Sequence, residues 1–246
     1  MRKLGYGPIS AILVTLASYA GSQVFVGVWL GLLPYLLGWD VARVERWIET
    51  SVVAQFLTML TLEAAFLYII WLFLKFIRVK LSEIGLVKPV LKDISYALVG
   101  YAVYFVAFVA VTALAQQFVP GIDVEQEQEI RFNTGTTGAA LGWVFVSLVI
   151  LPPITEEIVA RGFLYTGLRS RLPVFAAAII TSVMFAAAHL QWGNDAPLLW
   201  VAALDTFILS LILVYLREKT ASLWSPVLVH MIKNGFAFLV LFVIKL

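Results

Sequence analysis

Long apolar runs, separated by short charged or proline- and glycine-bearing stretches, dominate the pattern of this chain. Runs of about 20 mostly apolar residues suit membrane-crossing helices. They fall near 9–37, 52–77, 94–119, 139–169, 173–190, 197–216 and 221–244. The apolar residues are continuous where a strand barrel would alternate them. The expected fold is therefore all-α, a polytopic membrane helical bundle of about seven to eight transmembrane helices. The eighth would come from the first run, which is long enough to tilt or to hide a break. No internal repeat or low-complexity segment is visible, and one membrane domain over 1–246 is expected.

The fourth run contains a disruption. Pro152 and Pro153 have no backbone N–H, so they interrupt the hydrogen-bond ladder and kink or restart the helix. The helix should resume through Glu156 and Glu157 to about Arg169, with the two acids facing the positive end of its dipole. Broken helices at membrane depth are tolerated where they are buried in protein or line a wet cavity. A broken helix at an active site is the expectation.

Composition agrees with the pattern: 62% of the 246 residues are apolar and 13% charged. The net charge of +2 gives no reason to expect a nucleic-acid partner. With no cysteine, thiolate catalysis, thiolate metal sites and disulfides are excluded. The basic start "MRKL" leads into an apolar run too long for a cleaved signal peptide, so an uncleaved first span is expected.

Charge along the loops sets an orientation, because Lys and Arg crowd cytoplasmic loops. Lys75, Arg78, Lys80, Lys88 and Lys92 mark one such loop, Arg169 with Arg171 a second, and Arg217 with Lys219 a third. Between them, 120–138 carries Asp123, Glu125, Glu127 and Glu129 against Arg131, and "QWGNDAP" carries neither Lys nor Arg. The amino terminus is expected in the cytoplasm and the acidic loop outside. That loop reads as a solvated segment before it reads as a lid.

Charges inside spans are costly unless paired, hydrated or used. In "EEIVARG", Glu157 and Arg161 stand four apart, acid first, the favoured order for an intrahelical ion pair. Glu156 is rotated about 100° from its neighbour and is left to act elsewhere. The two histidines of the chain both lie in apolar segments. His189 follows Phe185 by four residues and His230 precedes Asn234 by four, so each pair shares a helix face. At 1.5 Å per residue, Glu156 lies about 20 Å from Arg169, His230 about 17 Å beyond Lys219 and His189 about 27 Å beyond Arg171. All three fall in the membrane interior.

Such a set suits hydrolysis of a peptide bond. A buried glutamate serves as general base, aided by His189, while His230 and Asn234 donate to the oxyanion that water attack creates. A zinc ion held by Glu156, His189 and His230 is the alternative, although the HExxH zinc-protease signature is absent. Two further classes remain at this point. One is a proton-coupled carrier using the same groups as a relay; the other is a membrane scaffold or immunity protein that keeps them structurally.

The ordered segments "EEIVAR", "FAAAH" and "HMIKN" resemble the EExxxR, FxxxH and HxxxN motifs of the CPBP family. That family comprises CAAX proteases of the Ras-converting-enzyme type together with bacteriocin-processing and self-immunity membrane proteins. The likeness covers roughly 81–246, where "LSEIGLVKP" resembles the family's cytosolic lead-in, and leaves the amino-terminal spans of 1–80 without a motif. It implies that Glu156 is the catalytic glutamate, His189 its water-activating partner, and His230 with Asn234 the oxyanion pair. Glu157, Arg161 and Phe185 would support them. It further implies an intramembrane glutamate endopeptidase needing no cofactor, working among membrane lipids on lipidated or membrane-embedded peptides, CAAX-type prenylated carboxyl termini included. One departure is Asp205, in a helix where the family often has glycine; it would line the cavity or pair with a neighbour.

Overall fold

A computed structural model describes residues 5–119, 130, 132–190 and 198–245. Every regular element among them is helical. The acidic run at 121–129 and the "QWGNDAP" loop at 191–197 lie outside the described residues.

Helix α1 (Pro8–Leu37) is one continuous helix, ended by Gly38 at φ 64°. A short polar helix α2 (Val41–Thr50) follows, with the Asp40 carboxylate accepting from Arg43 N–H at 2.6 Å. It is too short and too charged to cross. Then come α3 (Val52–Phe76) and α4 (Leu91–Phe118), a helical stretch α5 (Ala140–Arg169), α6 (Val174–Ala188), α7 (Trp200–Thr220) and α8 (Trp224–Ile244). Six of these are long and apolar enough to cross a membrane, and α6 is a shorter apolar helix. Since α1 is unbroken, the first run adds no extra span, and the described residues hold six such helices and the shorter α6 against the seven to eight expected.

The bundle is built around α5. It packs against α1, α3, α6, α7 and α8, while α1 pairs with α3, α6 with α7, and α4 with α7 and α8. In α5 and α7, 44% of the apolar stretch is buried inside the protein, against 11% in α3 and 17% in α4. The outer helices therefore show most of their Leu, Val and Phe side chains to the membrane. A site needing protection from lipid belongs on α5 and the helices that enclose it.

The expected break in α5 takes a gentler form. The chain stays helical from Ala140 to Arg169, with π-type turns at Val146–Ile150 and Ile158–Leu164. Leu151 N–H reaches back to Val146 O, one residue further than in an α-helix. Pro152 and Pro153 sit in the first turn after this bulge, where a missing N–H does least harm. The expectation that Glu156 and Glu157 occupy a helix start is therefore corrected. They lie within α5 with helix on both sides, so the dipole does not hold them there.

The lead-in segment docks beneath α5. Ile84, fully buried at the end of a single 3-10 turn (Leu81–Ile84), packs in the same cluster as Phe163 and Leu168. The next residue, Gly85, has φ 91°, and its carbonyl accepts from Leu223 N–H at 3.0 Å. A Cβ there would come within 2.5 Å of the Arg217 guanidinium. Gly85→Val is therefore expected to cost about 2 kcal/mol from backbone strain alone. Thermal unfolding in detergent would read this as a fall of about 5 °C in Tm.

Candidate active site

The two adjacent glutamates of α5 diverge as their helical positions require. Glu157 turns inward to Arg161, with Oε1 and Nη1 2.9 Å apart and both side chains fully buried. The guanidinium also lies 4.2 Å over the Phe185 ring of α6, a second partner for a charge with no access to water. The same Glu157 Oε1 accepts from His230 Nδ1 of α8 at 3.0 Å. One carboxylate oxygen thus gathers a cation of its own helix and an imidazole 73 residues away.

That bond orients His230. With Nδ1–H directed at Glu157, Nε2 is the nitrogen turned toward Glu156. A proton on both nitrogens would be met by the Glu157 carboxylate. His189 is oriented differently: it caps the end of α6, and its Nδ1–H donates to Phe185 O, one turn back, at 2.8 Å. Its Nε2 carries the acceptor lone pair. The Phe185 ring stands beside both imidazoles, 4.7 Å from His189 and 6.1 Å edge-on from His230, and so sets the spacing between them.

Both Nε2 atoms point at one oxygen. Glu156 Oε2 is 3.9 Å from His189 Nε2 and 3.9 Å from His230 Nε2. It is buried and has no hydrogen-bond partner among the described residues. A gap of 3.9 Å is too long for a direct hydrogen bond and within the span of a bridging water. The side chains of Glu156 and His189 keep 28% and 23% of their surface accessible, while His230 keeps 5% and Glu157 none. Glu156 and His189 are thus reachable, while Glu157 and nearly all of His230 are sealed.

Asn234 lies one turn beyond His230 on α8 and donates through Nδ2 to Leu148 O at 2.9 Å. In an unbroken α-helix that carbonyl would take the N–H of residue 152, which as proline has none. Asn234 supplies the missing donor and fastens α8 to the bulge of α5. Its amide has a second hydrogen for another acceptor. Asp205, the departure from the family pattern, pairs with Lys233 Nζ at 2.9 Å and accepts the Tyr104 hydroxyl, joining α4, α7 and α8.

Glu156, Glu157, Arg161, Phe185, His189, His230 and Asn234 therefore come from α5, from α6 and its cap, and from α8, and these three helices bring them together, while Asp205 stands on α7. Sequence reading passed over Glu63, which lies near the middle of α3, a helix that packs against α5. The available signal was a glutamate near the middle of an apolar span. Among the described residues, no group of three or more His, Asp and Glu side chains has the spacing that holds a metal ion.

Comparison with known proteins falls on this same region. Residues 138–236 match the family model described as type II CAAX prenyl endopeptidase Rce1-like. Over 88 residues the chain is 39% identical to an uncharacterized 24.3 kDa protein of Escherichia coli, covering 35% of this chain and 38% of that one. Over 87 residues it is 31% identical to YdiL of Bacillus subtilis (strain 168), named as a candidate membrane peptidase, covering 35% of this chain and 32% of that one. The chain thus spans 38% of the length of the first relative and 32% of the second. No solved structure matches. Glu156, Glu157, Arg161, Phe185, His189, His230 and Asn234 all lie within the stretch that matches the Rce1-like family model.

Proposed function

We propose that this integral, multi-pass protein is an intramembrane endopeptidase whose Glu156 activates water without a covalent intermediate. The observation that carries the reading is the convergence of His189 Nε2 and His230 Nε2 on the buried, unpartnered Glu156 Oε2, each at 3.9 Å. Water between these atoms gives a proton to Glu156 and is held by the His189 lone pair. Its oxygen adds to the carbonyl carbon of the scissile amide. The resulting oxyanion takes hydrogen bonds from protonated His230 and from the second Asn234 hydrogen. Collapse of this intermediate breaks the C–N bond, and Glu156 returns its proton to the departing amine. The products are a carboxylic acid and an amine, with one water consumed.

The substrate class we favour is a peptide delivered by the membrane, foremost a CAAX-type carboxyl terminus carrying a prenyl chain. A lipid chain partitions the peptide to the depth where the site lies. Support comes from the Rce1-like segment and from the position of Glu156, about 20 Å along α5 from Arg169. We place the amino terminus in the cytoplasm, on the strength of the basic loop at 75–92.

The test is cleavage of a prenylated CAAX reporter by purified full-length protein, with and without a strong chelator. Cleavage unchanged by chelation is the expected result. Loss on chelation, restored by zinc, would replace the water-activating role of Glu156 with zinc ligation by Glu156, His189 and His230. No cleavage of prenylated, transmembrane or leader peptides by folded protein would overturn the peptidase reading.

A further inference from the structure

An ion pair within the spans is left unused by the reaction above: Lys233 Nζ of α8 stands 2.9 Å from Asp205 Oδ2 of α7. The other oxygen of that carboxylate, Oδ1, accepts the Tyr104 hydroxyl of α4. Lys233 is the sole Lys, Arg, Asp or Glu of α8, and Asp205 is the sole one of α7 outside its last turn. Charges in spans are expensive, and the two side chains keep only 24% and 15% of their surface. Apolar side chains of similar volume would often serve stability as well. Indeed α4, α7 and α8 already meet in one apolar cluster, with Leu209, Leu213 and Val229 fully buried. Apolar contact of that kind is non-directional, whereas a charge-assisted hydrogen bond has a fixed geometry.

The place of Lys233 on α8 gives that geometry a use. At about 100° per residue, Lys233 lies about 60° to one side of His230 and Asn234 about 40° to the other. His230 and Asn234 both hold α8 to α5, through Glu157 Oε1 at 3.0 Å and Leu148 O at 2.9 Å. Lys233 holds the same turn of α8 to α7 from the other side. A rotation of α8 that shortened one set of bonds would stretch the other. We propose that Lys233, seated on Asp205, is a positioning residue for His230 and Asn234. It fixes the rotation of α8 at which both side chains reach α5, and Tyr104 steadies Asp205 in turn. Neither Lys233 nor Asp205 occupies one of the motif positions, so the brace adds α4 and α7 to the site by contacts that no motif marks. The kinetic arm of the test rests on the peptidase reading; the spectroscopic arm does not.

Full-length Lys233→Met, Asp205→Asn, their double variant and Lys233→Arg are compared with wild type. Asp205→Asn keeps an acceptor for Tyr104 and removes the charge that Lys233 meets. Each single variant is expected to lower kcat on the prenylated reporter about tenfold with KM within about twofold, since a misplaced group acts on the chemical step. The double variant should also lose about tenfold in all, because one interaction is removed twice. It should do so while regaining the Tm that an unpaired charge costs each single variant. Lys233→Arg keeps a cation for the carboxylate and should hold kcat within about threefold. Wild-type kcat in any of the first three, losses that multiply, or an equal loss in Lys233→Arg would overturn the proposal. Independently, the chain has two histidines, so isotope labelling of histidine nitrogen gives two imidazoles by magnetic resonance, with His189→Gln assigning them. The His230 Nδ1 signal reports its bond to Glu157. It should shift in Lys233→Met, in Asp205→Asn and in the double variant, and keep its wild-type place in Lys233→Arg. An unchanged signal in the double variant would overturn the proposal even if no peptide were ever cleaved. A shifted signal in a protein whose wild type cleaves nothing would leave the positioning role standing and sink the peptidase reading alone. Should a single variant not fold, the double variant leaves neither charge unpaired and carries both readouts.

Discussion

Glu156→Gln should abolish cleavage while leaving the fold as it is. The amide keeps the shape of the carboxylate and cannot accept the proton of the attacking water. Removing a general base costs about 10²- to 10⁴-fold, so kcat is expected to fall by about a thousandfold. Thermal unfolding should hardly change, because Glu156 Oε2 has no hydrogen-bond partner among the described residues and the buried Glu157–Arg161 pair is untouched. This contrast separates a catalytic role from a structural one. A loss of activity with an equal loss of stability would point to misfolding. Full cleavage by a stable variant would end the glutamate mechanism and move the proton-accepting role to another group. His189→Ala belongs in the same series with a smaller loss, since its Nε2 assists the water without taking up the proton that Glu156 holds.

The spans were legible because a bilayer asks for one thing: enough consecutive apolar residues to cover its core. The run expected at 52–77 is α3, and that at 94–119 is α4 with three further residues at its start. The Glu157–Arg161 pair was equally legible, since a spacing of four is a local property of a helix. Contacts between helices were not. Nothing in "HMIKN" reveals that His230 reaches Glu157 instead of facing Glu156 with both nitrogens, because that depends on how α8 is turned against α5. Asn234 was expected at an oxyanion and is found filling the place of a proline's absent N–H. The two facts that produce this contact, a proline on one helix and an amide on another, lie 82 residues apart in sequence (234 − 152). The double proline pointed to a break and the structure has a bulge, because a π turn lengthens the ladder locally and lets helix continue on both sides.

Arg161→Ala is expected to be the most destabilising single change in the site. It would leave the fully buried carboxylate of Glu157 with His230 alone, and take the cation from the face of Phe185. Breaking one partner of a buried pair costs about 3–5 kcal/mol, and Tm in detergent should drop by about 10 °C. Removing both charges has a different outcome. Glu157→Leu with Arg161→Met puts apolar side chains of similar volume where the pair stood, and such replacements are often neutral for stability. The double variant should therefore regain most of the lost Tm. Its cleavage should stay near zero all the same, because His230 Nδ1 then has no carboxylate to fix its ring or to meet a second proton. Recovery of both stability and activity would mean that Glu157 and Arg161 only fill space. Recovery of stability alone would mean that this buried pair is kept for the imidazole it holds, at a site where an apolar core would have served the fold as well.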